Sequence, residues 1–204
     1  MTELLSGTDL CLLRGERCLF KELQFALSAG ELMLVQGPNG SGKTSLLRAI
    51  AGLTGLERGY ISWQGARTDR ERHQFSADVV WLAHGVGFKG DLTLDENLRF
   101  EAGLRSSSLG ELDSILERLG LTRLRNLPMR SLSAGQQRRV ALARMLISDA
   151  RIWLMDEPFA NLDAAGHDLV IDLIREHLVN GGLCVLAAHQ DVELEAPTHR
   201  IQLQ

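Results

Sequence analysis

The fold is decided by one stretch, Gly37-Pro38-Asn39-Gly40-Ser41-Gly42-Lys43-Thr44, which matches the G-x-x-x-x-G-K-[ST] phosphate-binding loop at every fixed position. The apolar run 32–35 before it predicts a buried strand, and the segment 45–51 after it predicts a helix that ends at Gly52. The backbone N–H groups of a glycine-rich loop and the dipole of the following helix together form an anion site. We expect Lys43 to reach the β- and γ-phosphates of a nucleotide and Thr44 to bind Mg²⁺ through its hydroxyl.

The composition predicts a globular protein with a sizeable core, since 45% of the 204 residues are hydrophobic. The net charge of −4 and the lack of a basic block argue against nucleic acid as a partner. Cys11, Cys18 and Cys184 have no metal-ligand spacing, which is typical of free thiols in a reducing compartment. No run of about 18 apolar residues and no signal-peptide core occurs, so we expect a soluble, cytoplasmic chain.

The order of the patterns predicts a single domain over residues 1–204. Strand patterns at 10–13, 23–27 and 59–63 (the last an expected edge strand) are followed by helical patterns from about 94 to 146. We therefore expect an α/β core over about 1–84 and 150–204, with an inserted helical subdomain over about 85–149. Ser108 and Glu111 predict a capping box for a helix that ends at Gly120, and 183–187 is the last strong strand pattern.

Two carboxylates, Asp156 and Glu157, follow the apolar run 152–155. A buried parallel strand brings such acids to the ligand edge of its sheet. Asp156 is placed to hold Mg²⁺, directly or through water, and Glu157 to polarise a water for attack on the γ-phosphate. Alone, the pair would more often be solvated side chains at a strand end, but the phosphate loop favours the functional interpretation.

A second anion site is predicted at residues 132–136, which precede another helical pattern. Ser133 and the backbone N–H of Gly135 lie at the expected helix N-terminus. Taken alone, Ser133 is an ordinary N-cap.

With these motifs in order, the chain resembles the ATP-binding subunits of ABC transporters over essentially its whole length. The family signature L-S-G-G-Q is matched by Leu132-Ser133-Ala134-Gly135-Gln136, in which Ala134 replaces one glycine. The family's D-loop is matched by Asn161-Leu162-Asp163, and its switch histidine by His189. The resemblance implies an α/β fold, a P-loop NTPase core of ABC ATPase type with an antiparallel β subdomain and an inserted helical subdomain.

The resemblance also implies a mechanism in which two copies pair head to tail and enclose each ATP between them. Ser133, Gly135 and Gln136 would then bind ATP in trans, and Asp163 would lie at the dimer interface, although an ordinary turn role before the next helix stays open. His189 would contact the γ-phosphate and help to hold the attacking water. The implied set comprises catalytic Lys43, Glu157 and His189, ATP-binding Gly37, Pro38, Asn39, Gly40, Ser41, Gly42, Lys43, Thr44 and Ser45, and the Mg²⁺ ligands Thr44 and Asp156.

Two positions depart from the family pattern. His84 stands where most members place a glutamine, whose oxygen suits Mg²⁺ better than imidazole does. We hypothesise that His84 tunes coupling to a membrane subunit and is not a direct metal ligand; a packing role stays open. Arg14 stands near the place of an aromatic residue that stacks on adenine. A guanidinium can stack on a base, but an exposed loop position is equally compatible, so we expect weak selectivity for adenine.

Within the family, the short length, His84 and the signature segment resemble the ATP-binding subunits of cytochrome c maturation, historically called heme exporter ATPases. That resemblance implies a peripheral protein on the cytoplasmic face of the bacterial inner membrane, with integral-membrane transporter subunits and cytochrome c maturation proteins as partners. ATP hydrolysis would drive heme handling or release of a heme chaperone. The chain has no C-x-x-C-H motif, so partners would handle the heme itself.

Three alternatives remain open from the sequence. An exporter of a drug, a lipid or a polysaccharide would share every catalytic residue. A nucleotide-switched regulator of ribosomes or DNA would be expected to carry tandem ATPase domains, a coiled coil or a basic stripe, none of which the sequence contains. A non-hydrolytic scaffold is disfavoured by the intact residues Lys43, Asp156, Glu157 and His189.

Overall fold

A computed structural model describes residues 3–85, 87–105, 107–188, 192 and 194–204. In chain order the elements are β1 (Leu5–Arg14), β2 (Arg17–Leu27), β3 (Leu32–Gln36), α1 (Lys43–Ile50), β4 (Arg58–Trp63), β5 (Ala66–Arg67), α2 (Arg72–Asp78), β6 (Val79–Leu82), α3 (Leu94–Arg105), α4 (Leu112–Arg118), α5 (Ala134–Leu146), β7 (Ile152–Asp156), α6 (Ala164–Val179), β8 (Leu183–Ala187) and β9 (Thr198–Gln202). Short 3-10 turns lie at Thr122–Leu124 and Met129–Ser131.

The centre of the molecule is a parallel sheet with the strand order β6-β7-β8-β3-β9. Residues of β7 and β8 are buried along their whole length, which is typical of a parallel sheet covered on both faces. Because all strands run the same way, β3 and β7 bring their carboxyl ends to one edge. That edge carries the phosphate loop, residues 37–44, and the two acids after the apolar run 152–155.

The strand β9 is absent from the sequence-based prediction, which ended the sheet with β8. It pairs in parallel with β3 at the sheet edge, and most of its residues are exposed. Its sequence, Thr-His-Arg-Ile-Gln, holds one apolar residue and therefore gives no alternating pattern.

A second, antiparallel sheet has the order β2-β1-β4-β5. The predicted edge position of β4 is wrong, because β4 pairs with β1 on one side and with the two-residue strand β5 on the other. The turn after Trp63 folds back into β5, and the sequence of so short a strand gives no separate signal.

Alternating residues of the parallel sheet pack into two hydrophobic clusters. Met33 and Val35 face α1 and the antiparallel sheet, whereas Leu34 and Met155 face the cluster that contains the buried residues of α3 to α6. The helix α1 lies against β7 and β8, and α5 lies against β6 and α3. The phosphate-loop helix and the signature helix α5 therefore occupy opposite faces of one sheet.

The helices α3, α4 and α5 follow β6 and precede β7 in the chain. The predicted capping box at Ser108 is wrong: α4 begins at Leu112 after Glu111, and the Ser108 hydroxyl accepts a hydrogen bond from the Gly110 backbone N–H. The predicted end at Gly120 is confirmed by its positive φ of 67°. Within the described part of the chain, no helix is long and apolar enough to cross a bilayer.

Candidate nucleotide-binding site

The phosphate loop joins β3 to α1 through backbone that only glycine accommodates well. Gly37 has φ 148°, and a Cβ there would lie 2.5 Å from the Leu203 carbonyl oxygen. Gly42 has φ 104° and stands at the N-cap of α1. This helix has neither a side-chain cap nor an acidic residue in its first turn, so no capping side chain competes with an anion for its leading N–H groups.

Lys43 is buried at the start of α1. Its Nζ donates hydrogen bonds to the carbonyl oxygens of Gly37 and Pro38 at 2.7 and 3.2 Å. These bonds hold the ammonium group at the mouth of the loop, where a positive charge would neutralise bound phosphates.

Thr44 and Asp156, which are distant in sequence, meet at the end of the sheet. The Thr44 Oγ1 donates to the Asp156 Oδ2 at 2.8 Å, and Asp156 is 2% exposed. Neighbouring ligands of an octahedral Mg²⁺ with bonds of about 2.05 Å lie about 2.9 Å apart, so this oxygen pair fits two adjacent corners. Across the described ranges no cluster of three or more His, Cys, Asp or Glu side chains could hold a metal, and Mg²⁺ commonly takes few protein ligands beside phosphates and water.

Glu157 follows β7 with an unusual backbone. Its φ is 51°, in the left-handed region that non-glycine residues seldom adopt, and its N–H donates to the Ala187 carbonyl at 2.9 Å. Such conformations persist only where the surroundings hold them, and they concentrate at functional sites.

These residues line one cavity of 270 Å³ beside the phosphate loop. His84 and Arg14, the two departures from the family pattern, line the same cavity as Lys43 and Glu157. The remaining lining residues are Leu19, Asn39, Gly40, Gly42, Thr44, Ser45 and Asp156. Both departures are thus within reach of a molecule bound on the loop.

The signature segment forms the N-terminus of α5. The Ser133 Oγ accepts from the Gln136 backbone N–H at 3.2 Å, and the Ser133 N–H donates to the Gln136 Oε1 at 2.9 Å. This capping box confirms the N-cap interpretation of Ser133. The Ser133 hydroxyl keeps its own proton for donation to a further acceptor.

The D-loop, residues 161–163, lies against the signature segment in the same chain. A Cβ at Gly135 would lie 2.7 Å from the Asn161 carbonyl oxygen, so the two backbones touch. Asp163 is the N-cap of α6, where its Oδ1 accepts from the Gly166 N–H at 2.9 Å, and it lies 3.5 Å from an Arg139 nitrogen. The turn role of Asp163 before the helix is therefore confirmed.

The signature segment and the D-loop line a second cavity of 380 Å³. It contains Ser133, Gly135, Gln136 and Asp163 and shares no lining residue with the first cavity. One chain thus brings the predicted residues together in two separate groups. His189 lies outside the described residues.

Arg138 contacts the backbone beside the nucleotide cavity, a role that was not predicted from the sequence. It is 3% exposed, and burial lowers the pKa of its guanidinium to about 10. Its Nη1 donates to the Ala83 carbonyl, beside His84, at 2.7 Å. The available signal was its position on the apolar stripe of α5, which continues through Ala141, Leu142 and Met145.

Comparison with known proteins agrees with this arrangement. The family model described as ABC transporter matches residues 20–160. The chain is 43% identical over 202 residues to a cytochrome c biogenesis ATP-binding export protein of Nitrosospira multiformis, covering 98% of each chain. It is 41% identical over 199 residues to the protein of that name from Vibrio parahaemolyticus, covering 97% of each.

Solved structures show the same fold. An ABC transporter ATP-binding protein of Pyrococcus furiosus superposes with a TM-score of 0.85 at 22% identity, covering 98% of this chain and 96% of that one. A second structure, an ATP-binding subunit of an ABC transporter, has a TM-score of 0.84 at 25% identity, covering 91% and 79%. Because the family model spans most of the chain and the relatives match nearly end to end, this chain belongs to the ABC transporter family as one of its ATP-hydrolysing subunits.

Proposed function

We propose that this chain hydrolyses ATP to energise c-type cytochrome biogenesis, through heme handling or release of a heme chaperone at the inner membrane. The observation that supports ATP chemistry best is the meeting of Lys43, Thr44 and Asp156 around one cavity. The pathway is supported by relatives of 41% and 43% identity that are named cytochrome c biogenesis ATP-binding export proteins.

In this proposal, the phosphate loop and Ser45 wrap the triphosphate with backbone N–H groups, and Lys43 neutralises the β- and γ-phosphates. Thr44 and Asp156 would hold Mg²⁺, which offsets phosphate charge when bound. Glu157 accepts a hydrogen bond from the attacking water and draws its proton, which orients the oxygen toward the γ-phosphate.

The trans half of the site would come from a second copy. Ser133 and Gly135 lie in a cavity separate from Lys43, so no single chain closes both sides of one nucleotide. A head-to-tail pair would place the N-terminus of α5, with Gln136, against the γ-phosphate held by the partner's loop. Asp163 would then lie near the dimer interface, and His189 would contact the γ-phosphate.

The proposed division of the single domain is an α/β core over about 1–84 and 150–204 with a helical subdomain over about 85–149. The proposed partners are integral-membrane transporter subunits and cytochrome c maturation proteins, with the chain peripheral on the cytoplasmic face of the bacterial inner membrane. His84 lines the nucleotide cavity near the junction of the two proposed parts, which supports a role in transmitting nucleotide state to a membrane subunit.

A mild-detergent pull-down from native membranes tests the pathway. We expect the wild-type chain and a Lys43→Ala variant to recover the same cytochrome maturation proteins, because Lys43 is buried and lines the nucleotide cavity. Only the wild-type complex should hydrolyse ATP. Recovery of an unrelated permease would overturn the pathway and favour a different exporter, and equal hydrolysis by both complexes would overturn the assigned site.

A further inference from the structure

Arg138 joins two segments that carry the nucleotide cavity. Besides Ala83, its guanidinium donates to the carbonyl oxygens of Asp156 at 2.9 Å and Pro158 at 3.2 Å, and also to that of Glu157. A single buried side chain therefore holds the backbone before His84 and the backbone around Glu157.

These contacts are strong for physical reasons. Hydrogen bonds from a charged donor are worth roughly twice those between neutral groups, and a buried cation without partners would be very unfavourable. Replacing the guanidinium would leave carbonyl groups of a left-handed turn without their donor. The left-handed backbone at Glu157 is a conformation that persists only where its surroundings hold it.

Arg138 also belongs to the helix that begins with the signature segment. Ser133 caps α5, and Arg138 extends from the same helix to the cavity wall. Since an α-helix moves as a rigid rod over such a short distance, a displacement of its N-terminus displaces the guanidinium and its bound carbonyls.

We propose that Arg138 is a positioning residue that couples the two ATP sites of the dimer, by tying the signature helix of one site to Glu157 and His84 of the other. The inference rests on the proposed head-to-tail pair. Contact of α5 with the partner's nucleotide is transmitted through Arg138 to the chain's own Glu157 and to the backbone before His84. The linkage makes hydrolysis in the two sites cooperative.

The test compares Arg138→Gln with Arg144→Gln in full-length protein, alone and in its membrane complex. Arg144 is a matched control because it is an arginine of the same helix with only 12% of its side chain exposed and a pKa also lowered by burial, but it donates to the Trp81 carbonyl. Both variants should lose thermal stability to a similar extent. ATP affinity, kcat and the Hill coefficient for ATP are then measured for each.

For Arg138→Gln we expect ATP affinity within about 3-fold of wild type, because the phosphate loop is untouched. The kcat should fall by roughly 10- to 100-fold, the cost of a misplaced catalytic group, and the Hill coefficient should fall from near 2 toward 1. Arg144→Gln should keep both values. If Arg138→Gln fails to fold, Arg138→Lys replaces it, because lysine keeps the charge but lacks the forked set of donors. This variant must also keep its ATP affinity while its kcat falls.

The inference is overturned if Arg138→Gln keeps the wild-type kcat and Hill coefficient, if Arg144→Gln loses them equally, or if the wild type itself is not cooperative. A wild-type complex that binds ATP but does not hydrolyse it would refute the proposed function as well. If the wild type hydrolyses ATP and the Arg138 variant keeps the wild-type kcat and Hill coefficient, only the coupling role is refuted.

Discussion

Replacing Gly135 with alanine would drive a methyl group into the D-loop of the same chain. The added Cβ would lie 2.7 Å from the Asn161 carbonyl oxygen, whereas an ordinary van der Waals contact begins near 3.4 Å. The carbonyl must therefore retreat by about 0.7 Å. Asn161 has a left-handed φ of 63° and lies two residues before Asp163, the N-cap of α6, so this shift strains a turn that has little freedom.

Overpacking costs about 1 to 3 kcal/mol, and a clash with a backbone carbonyl belongs to the upper part of that range. After subtraction of about 1 kcal/mol for the better helix propensity of alanine, a net loss of about 1 to 2 kcal/mol remains. We expect Gly135→Ala to lower the Tm by roughly 2 to 8 °C for a chain of this size. In the proposed dimer, the same clash would displace the Gly135 N–H from the γ-phosphate that we propose it contacts on the partner, so kcat should fall by about 100-fold while ATP affinity of the monomer changes by less than about 3-fold.

Differential scanning calorimetry and steady-state ATPase assays measure both effects. Gly103→Ala serves as the control, because Gly103 lies in α3 and an added Cβ there meets nothing within 4 Å. It should stabilise the protein by about 0.5 to 1 kcal/mol and leave hydrolysis unchanged. An unchanged Tm for Gly135→Ala would refute the backbone contact, and unchanged hydrolysis would refute the role of Gly135 in the trans site.

Three other substitutions test the remaining parts of the account. His177 stacks on Trp153 with ring centroids 4.1 Å apart, and burial lowers its pKa to about 4. As the pH falls, the unfolded chain protonates this histidine before the folded chain does, so the free energy of unfolding should fall by up to about 3 kcal/mol between pH 6.5 and 4. Urea titrations of His177→Phe should show a flatter pH dependence. An equally steep loss of stability in the variant would contradict this assignment. Because Arg14 lines the nucleotide cavity, the wild type should hydrolyse GTP at a rate within about 10-fold of its ATP rate. Arg14→Ala should weaken the binding of both nucleotides by about 3- to 10-fold. A strong preference of the wild type for ATP would count against base stacking by Arg14. Asp156→Asn removes the carboxylate that Thr44 contacts, and it should raise the Mg²⁺ concentration for half-maximal hydrolysis at least about 10-fold; an unchanged Mg²⁺ requirement would exclude Asp156 as a ligand.

The sequence predicts well where the structure depends on local chemistry. The phosphate loop, the acids at the end of β7 and the cap at Ser133 all rest on residue types that demand a particular backbone or edge position. Helix α1 begins at Lys43, slightly before the predicted start, because the loop leads directly into its first turn. The meeting of Thr44 with Asp156 follows from two parallel strands that end at one edge.

Features that depend on tertiary context could not be predicted from local patterns. The strand β9 is held by pairing with β3, and its exposed polar residues carry no period. Arginine is usually found at the protein surface, so the sequence does not indicate that Arg138 is buried. Its carbonyl partners become adjacent only when α5 packs against the sheet. The capping box predicted at Ser108 is wrong for a similar reason, because the start of α4 depends on tertiary packing of Leu112 and Leu116.

The central claim is that Glu157 activates water in an ATP site closed by a second copy. Glu157→Gln keeps the shape of the side chain and removes the base, so the variant should bind ATP and fail to hydrolyse it. Light scattering after size-exclusion chromatography in Mg²⁺ and ATP should therefore show a stable dimer with trapped ATP, while the double variant Lys43→Ala/Glu157→Gln stays monomeric. A Glu157→Gln protein that hydrolyses ATP at the wild-type rate, or that binds ATP and remains a monomer, would contradict the account.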